Sequence, residues 1–371
     1  MKMKSVTISL IRLPMKQPFS VAYDTYFDMP SIIVKIETDQ GIAGFGEAVP
    51  DQHVTGETAE STFAILAHYL APLLIGEHPF SIEKIHDLMD QTVYGNPSAK
   101  AAIDIACYDL MGKAFEQPLY NLLGGKYYPV LDVPHVVGIQ EPEKMAQEAS
   151  EAIKQGYSSL KIKVGTSNSK DDVERIRAVR RAVGESVQLR VDANQGWKNK
   201  AFALSVLKQV EDCQIDWIEQ PVLADDIAAL AEIRNQTSIP VMADEGLQGN
   251  KEMREIVAMQ AADLINIKLM KCGGIYPALK LVSQAEMAGM GCIIGSMIES
   301  SVATAAGAHL ATAKKQIIAN EMAGPLIFSS DLSPLDYRGS KLYLSDRPGL
   351  GIDIDESVLK EILVRQETIL K

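Results

Sequence analysis

From about Leu131 the chain repeats one unit, a short apolar run followed by a longer amphipathic stretch. The apolar runs end near Val137, Lys163, Asp192, Glu219, Asp244, Lys268, Gly295 and Glu321, at successive intervals of 24 to 29 residues. Each interval is the length of a strand, a helix and their turns. Eight in succession predict parallel strands closed into a barrel by an outer layer of helices. A doubly wound open sheet is the competing arrangement. That fold normally carries a glycine-rich fingerprint after an early strand, and Gly44-Phe45-Gly46-Glu47 lacks its last glycine, so this run reads as hairpin geometry.

The first third reads as a separate α+β unit. Ser5 to Leu13, Ser31 to Glu37 and Gly44 to Ala48 have strand character, with Asp39-Gln40-Gly41 as the turn between the last two. Pro14 to Pro30 and Pro50 to Gly56 show no period and are expected to be mobile loops able to close over a site. Glu57 to Leu74, Ser81 to Tyr94 and Ser98 to Phe115 have helical spacing, and Leu122-Leu123-Gly124-Gly125 stops the third helical region. After Pro325 the pattern is irregular. A last helix is expected over Glu356 to Leu370, packed back on the N-terminal unit. The chain therefore divides into residues 1–127, 128–326 and 327–371.

At 371 residues with 47% hydrophobic and 23% charged side chains, the composition is that of a globular protein with an ample core. The net charge of −12 argues against nucleic acid or an anionic membrane surface as partner and favours small ligands and cations. Cys107, Cys213, Cys272 and Cys292 form no C-x-x-C pair, which points to reduced thiols in the cytoplasm. No export signal is expected, and no uncharged apolar run reaches the roughly 18 residues of a spanning helix.

The chemistry lies at the strand ends. Lys163, Asp192, Glu219, Asp244 and Lys268 each close an apolar run, at the barrel end where active sites form. A single strand-end acid often caps the next helix. Three on successive strands, flanked by lysines, instead predict a hard cation bound by Asp192, Glu219 and Asp244, Mg2+ or Mn2+; with no histidine at these positions, zinc does not fit. Strands two and six are opposite in an eight-stranded barrel, so Lys163 and Lys268 face the two sides of a bound carboxylate substrate. One lysine removes the α-proton and the other returns it, through an enediolate. Lys161 shares a face with Lys163. An isolated K-x-K would read as an exposed strand edge; here Lys161 is expected to lower the Lys163 pKa from about 10.4 or to bind the substrate carboxylate.

These residues resemble the enolase superfamily and its muconate-lactonising subgroup. The resemblance spans nearly the whole chain and is carried by Lys161-Ile162-Lys163, Asp192-Ala193-Asn194, Glu219-Gln220-Pro221, Ala243-Asp244-Glu245, Lys268 with Cys272-Gly273-Gly274, and Gly295-Ser296-Met297-Ile298-Glu299. It implies a modified TIM barrel, (β/α)7β, an α+β capping domain made from both chain ends, Mg2+ on the three acids and acid/base lysines at 163 and 268. Capping loops around Phe19 to Asp28 and Asp51 to Thr55 would choose the substrate, with Ser296 and Ile298 beside it. Similar dipeptide epimerases carry Asp-x-Asp at the eighth strand end, where this chain reads Glu321-Met322-Ala323. A substrate ammonium is then less well compensated, so racemisation of an N-acyl amino acid, above all an N-succinylamino acid, is expected. Asp24, Asp28 and Asp51 suit a basic side chain, Arg or Lys, although solvated loop acids are the plainer reading. His53 is a loop histidine within reach of substrate, His135 is similar, and Glu299 belongs to the polar shell around Lys268. A dipeptide epimerase is the nearest alternative; o-succinylbenzoate synthase, muconate cycloisomerase, a Schiff-base aldolase and a silent binding protein are more remote. A homo-oligomer is expected.

Overall fold

The computed structural model describes residues 1–370. Its N-terminal unit is built on an antiparallel sheet of β1 (Met3–Ser20), β2 (Thr25–Thr38) and β3 (Ala43–Ala48); helix α1 (Ile82–Thr92) packs on helix α2 (Pro97–Ala114), which backs the sheet. Helix α2 is buried nearly all round, and its small alanine-rich face lets β3 lie against it. At Gly46 an added Cβ would fall 1.9 Å from the Ala102 carbonyl oxygen, so only glycine permits this approach.

Eight parallel strands follow in chain order: β4 (His135–Val137), β5 (Ser159–Lys163), β6 (Gln188–Asp192), β7 (Trp217–Glu219), β8 (Val241–Ala243), β9 (Leu264–Ile267), β10 (Gly291–Ile294) and β11 (Ile317–Asn320). Each pairs with the next, as the strand spacing predicts. Lys163 lies beside Asp192, and Asp192 beside Glu219, so the ladder brings the strand-end charges level. The sheet is curled hard: Lys161 on β5 meets both Glu219 at the end of β7 and Glu321 just after β11. Only a barrel-like curvature lets one side chain reach both. Helices α3 (Ile275–Ala288) and α4 (Ser301–Ala313) follow β9 and β10 on the outside.

Three expectations are corrected. Pro14 to Pro30 is not an aperiodic loop: β1 and β2 run on as a hairpin to Ser20 and Thr25, with a register shift between Pro14 and Phe19. Pro14 and Pro18 offer no N–H to the ladder, and the resulting irregularity hides the strand period. The region Glu57 to Leu74 is broken by a π-helical turn at Leu66–Leu70. The last segment forms only a short helix, Glu356–Glu361, and then β12 (Leu363–Leu370), which pairs antiparallel with β1. The free edge of β1 offers backbone partners that helical spacing alone cannot reveal.

Candidate active site

The carboxylates of Asp192, Glu219 and Asp244 have no exposed surface, and each places an oxygen within 4.8 Å of the other two. Four lysines surround them. Lys163 Nζ lies 2.7 Å from Asp192 Oδ2 and donates to Asn194 Oδ1 at 2.9 Å. Lys161 Nζ lies 2.9 Å from Asp192 Oδ2, 2.9 Å from Glu219 and 2.5 Å from Glu321 Oε1. Lys268 Nζ is 2.7 Å from Asp244 Oδ2, and Lys271 Nζ 2.5 Å from Asp244 Oδ1.

Burial opposes the charge on Lys161, but Asp192, Glu219 and Glu321 outweigh it and hold its pKa well above the ordinary lysine value. Burial likewise opposes ionisation of Asp192, yet Lys161 and Lys163 keep its carboxyl at about 2. At Glu219 burial and the Asp192 charge prevail and push the pKa well up. Lys268 is buried too, and Asp244 and Glu245 raise its pKa.

Glu219 Oε2 and Asp244 Oδ2 are fully buried and accept no hydrogen bond among the described residues. Lys161 and Lys268 come within ion-pair distance of them, at 2.9 and 2.7 Å, without hydrogen-bond alignment. Two aligned-donor-free carboxylate oxygens, in an all-oxygen cluster, fit a hard divalent cation.

Asn194 and Gln220 adopt φ of 40° and 34°, a backbone conformation that costs a non-glycine residue ~1 kcal/mol or more. Both bends serve the site. Asn194 accepts from Lys163, while Gln220 Oε1 accepts from Asp244 N at 2.9 Å and Gly246 N at 3.1 Å, fixing the turn that carries Asp244.

One cavity joins these groups to the cap. Its barrel wall includes Lys161, Lys163, Lys268, Ser296, Ile298 and Glu321; its cap wall includes Phe19, Tyr23, Tyr26 and Asp51. Ser296 Oγ donates to the Glu321 carbonyl at 2.9 Å. The expected lid acids separate. Asp51 is buried and accepts from Tyr26 Oη at 2.6 Å and His53 N at 2.7 Å. Asp24 and His53 lie 3.8 Å apart outside the cavity wall, and Asp28 pairs with Arg12 at 2.7 Å in solvent. His135 is tied to Glu148 at 3.0 Å, and Glu299 accepts from Met297 N at 3.0 Å.

Lys271, Tyr23 and Tyr26 escape a reading of strand ends. Lys271 had one signal: it stands one helical turn after Lys268, where a buried lysine shares the same surroundings.

Three buried acids suited to a metal ion thus sit at the carboxyl ends of a parallel barrel, with a lysine on either side and a cap above. Residues 3–124 match the mandelate racemase / muconate lactonizing enzyme N-terminal domain, and residues 144–358 the enolase C-terminal domain-like family. The chain belongs to the mandelate racemase / muconate lactonizing enzyme family of the enolase superfamily, and it is an isomerase of the racemase and epimerase kind. It is 56% identical over 369 residues to the N-succinyl-L-Arg/Lys racemase of Bacillus cereus, covering 100% of both chains; the crystal structure of that racemase superposes with a TM-score of 0.98. It is 41% identical to an L-Ala-D/L-Glu epimerase of Clostridium acetobutylicum, over 95% of this chain and 99% of the relative. A dipeptide epimerase of Enterococcus faecalis, complexed with Mg and L-Leu-L-Tyr, is 40% identical over 95% of this chain and 99% of its own, with a TM-score of 0.91. Among the described residues, no helix is long and apolar enough to cross a membrane.

Proposed function

We propose that this chain racemises N-succinyl amino acids, those with Arg or Lys side chains first, by moving the α-proton between Lys163 and Lys268. The observation that carries the reading is that both lysines, on strands opposite in the barrel order, line one cavity beside the acid triad. Asp192, Glu219 and Asp244 would hold Mg2+, or Mn2+ as the other hard cation, which supplies charge stabilisation to the substrate carboxylate as the α-proton leaves. Lys163, as the neutral amine placed by Asp192 and Asn194, takes the proton from one face and becomes the ammonium; Lys268, as the ammonium held by Asp244, delivers one to the other face and becomes the amine. The reverse direction exchanges their roles. Each transfer by a positioned side chain supports ~10²–10⁴ of rate. Tyr23 and Tyr26 line the same cavity from the cap. Asp51, the one lid acid on the cavity wall, is available to a guanidinium or ammonium at the end of a substrate side chain.

Dipeptide epimerisation is the second reading, favoured by the acid retained at Glu321. That carboxylate already faces Lys161 at 2.5 Å, so its charge is largely spent before a substrate ammonium arrives. The test follows α-hydrogen exchange in D2O with Mg2+, comparing N-succinyl-Arg, N-succinyl-Lys, neutral N-succinyl amino acids and L-Ala-L-Glu. Lys163→Ala and Lys268→Ala should each abolish racemisation while leaving exchange in one enantiomer. Near wild-type racemisation by either variant overturns the two-lysine assignment; faster turnover of the dipeptide overturns the substrate class.

A further inference from the structure

Glu47 lies in β3 of the cap and has no exposed surface. A carboxylate buried this completely is costly unless its oxygens are met by donors. Four donors meet it. Ser31 Oγ, on the neighbouring strand β2, donates to Oε1 at 2.7 Å. The other three come from the barrel: Ser300 N donates to Oε1 at 3.0 Å, Ser300 Oγ to Oε2 at 2.6 Å, and Ala303 N to Oε2 at 2.9 Å. Those groups form the first turn of α4, whose N-cap, Ser300, already accepts from Val302 N at 3.2 Å. The helix thus has its own cap, and the acid adds a joint between two domains.

Both chains leaving this joint run directly to the cavity. Four residues after Glu47 comes Asp51 on the cap wall, and the residues just before Ser300 include Met297 and Ile298 on the barrel wall. Neither arm is slack. Val49 N lies 3.3 Å from Met270 Sδ, and Glu299 takes the Met297 N–H. We infer that Glu47 is a positioning residue that sets the separation between Asp51 and the Met297–Ile298 loop, and so the fit of the substrate's side chain. The inference rests on the cavity being the substrate site proposed above. Glu47 touches no substrate; it acts through the two walls it joins. Because Asp51 recognises by charge and geometry, a shift of an ångström between walls penalises a basic side chain more than a small neutral one.

The test measures kcat and KM for the intact Mg2+-loaded protein on basic and neutral members of whichever series, N-succinyl amino acids or dipeptides, the wild type turns over. Glu47→Gln keeps the shape and removes the charge; Ser300→Ala removes one donor across the joint together with the side-chain cap on Val302 N; Ser31→Ala removes the donor within the cap, which also reaches the Ala48 carbonyl. In Glu47→Gln, KM for the basic substrate should rise about 10- to 100-fold, with kcat little changed, and the preference for basic over neutral should collapse. Ser300→Ala should shift the same ratio in the same direction. Ser31→Ala should lower thermal stability and leave the ratio alone. If Glu47→Gln does not fold, the Ser300→Ala and Ser31→Ala pair carries the test. An unchanged preference in Ser300→Ala, or an equal loss of preference in Ser31→Ala, overturns the positioning role. A wild type inert toward every N-succinyl amino acid overturns the proposed substrate class instead, and the ratio on dipeptides still decides the role of Glu47.

Discussion

Lys271→Met keeps most of the length of a fully buried side chain and removes its charge. In the native protein Lys271 Nζ donates to Asp244 Oδ1, to the Asp244 carbonyl and to the Asn266 carbonyl. The Asp244 carbonyl keeps a second donor, Leu247 N at 2.9 Å, so the principal loss is ionic. Asp244 then keeps Lys268 in contact and the more distant charge of Lys161 against the neighbouring acids, Asp192 first among them. Severing one partner of a buried ion pair costs ~3–5 kcal/mol, and the retained Lys268 contact puts the expectation at the lower end, about 3 kcal/mol. With a urea slope above about 3 kcal/mol/M for a chain of this size, that loss should lower the urea midpoint by somewhat less than about 1 M. Unfolding followed by circular dichroism in EDTA measures it, and the same titration with saturating Mg2+ should recover part of the difference, because a cation on Asp244 replaces some of the missing positive charge. A variant within about 0.5 kcal/mol of wild type in EDTA would refute the assignment of Lys271 as the fixed counter-charge of Asp244.

Further outcomes can be checked alongside. His309 is buried and neutral, accepting from Tyr120 N at Nδ1 with Nε2 facing the Leu350 carbonyl, and burial holds its pKa down at about 4. A depressed folded pKa means stability intact above pH about 6.5 and lost as pH falls toward 4, by about 3 kcal/mol; His309→Gln should flatten that loss in urea titrations at pH 7 and 4.5, and an equally steep variant defeats the argument. Gly46→Ala drives a Cβ into helix backbone and should cost ~3 kcal/mol or prevent soluble expression, whereas Gly41→Ala, with φ of +79° and nothing within 4 Å, should cost only ~1 kcal/mol. Equal stability of the two variants by thermal melting contradicts the close-approach reading. Mg2+ at a hundred times its dissociation constant should stabilise the protein by about 2.7 kcal/mol, seen as a raised melting temperature, and Asp244→Asn should remove the effect.

The strand ends were legible because a lysine or carboxylate closing an apolar run breaks the rule that buried strands are apolar, and it did so at one repeating interval. Register then did the rest: Lys163, Asp192 and Glu219 are level because parallel strands of equal rise pair in step. Pairings decided across distant elements were not legible. Asp28 and Asp51 look alike in sequence, but the β1–β2 register sets Asp28 opposite Pro14, within diagonal reach of the Arg12 guanidinium, while Tyr26 and the turn amides hold Asp51 at the cavity. Lys271 hid inside a helical turn, and β12 hid because its strand form depends on an edge made by the opposite end of the chain. Glu47 seemed part of a hairpin, since its donors lie 253 and 256 positions away.

That last strand has a consequence for how the protein comes into being. Thr7 and Thr368 approach to 3.0 Å across 361 positions, with β12 forming the outer edge beside β1. During vectorial synthesis the barrel strands have all emerged before β1 can meet this neighbour, so the cap spends most of translation with an open edge. Long-range closure of this kind is slow and leaves backbone exposed to other chains. Crowded translation, or truncation after Ile362, should therefore harm this protein through aggregation of a half-finished cap, even though the acids and lysines of the barrel are already in place.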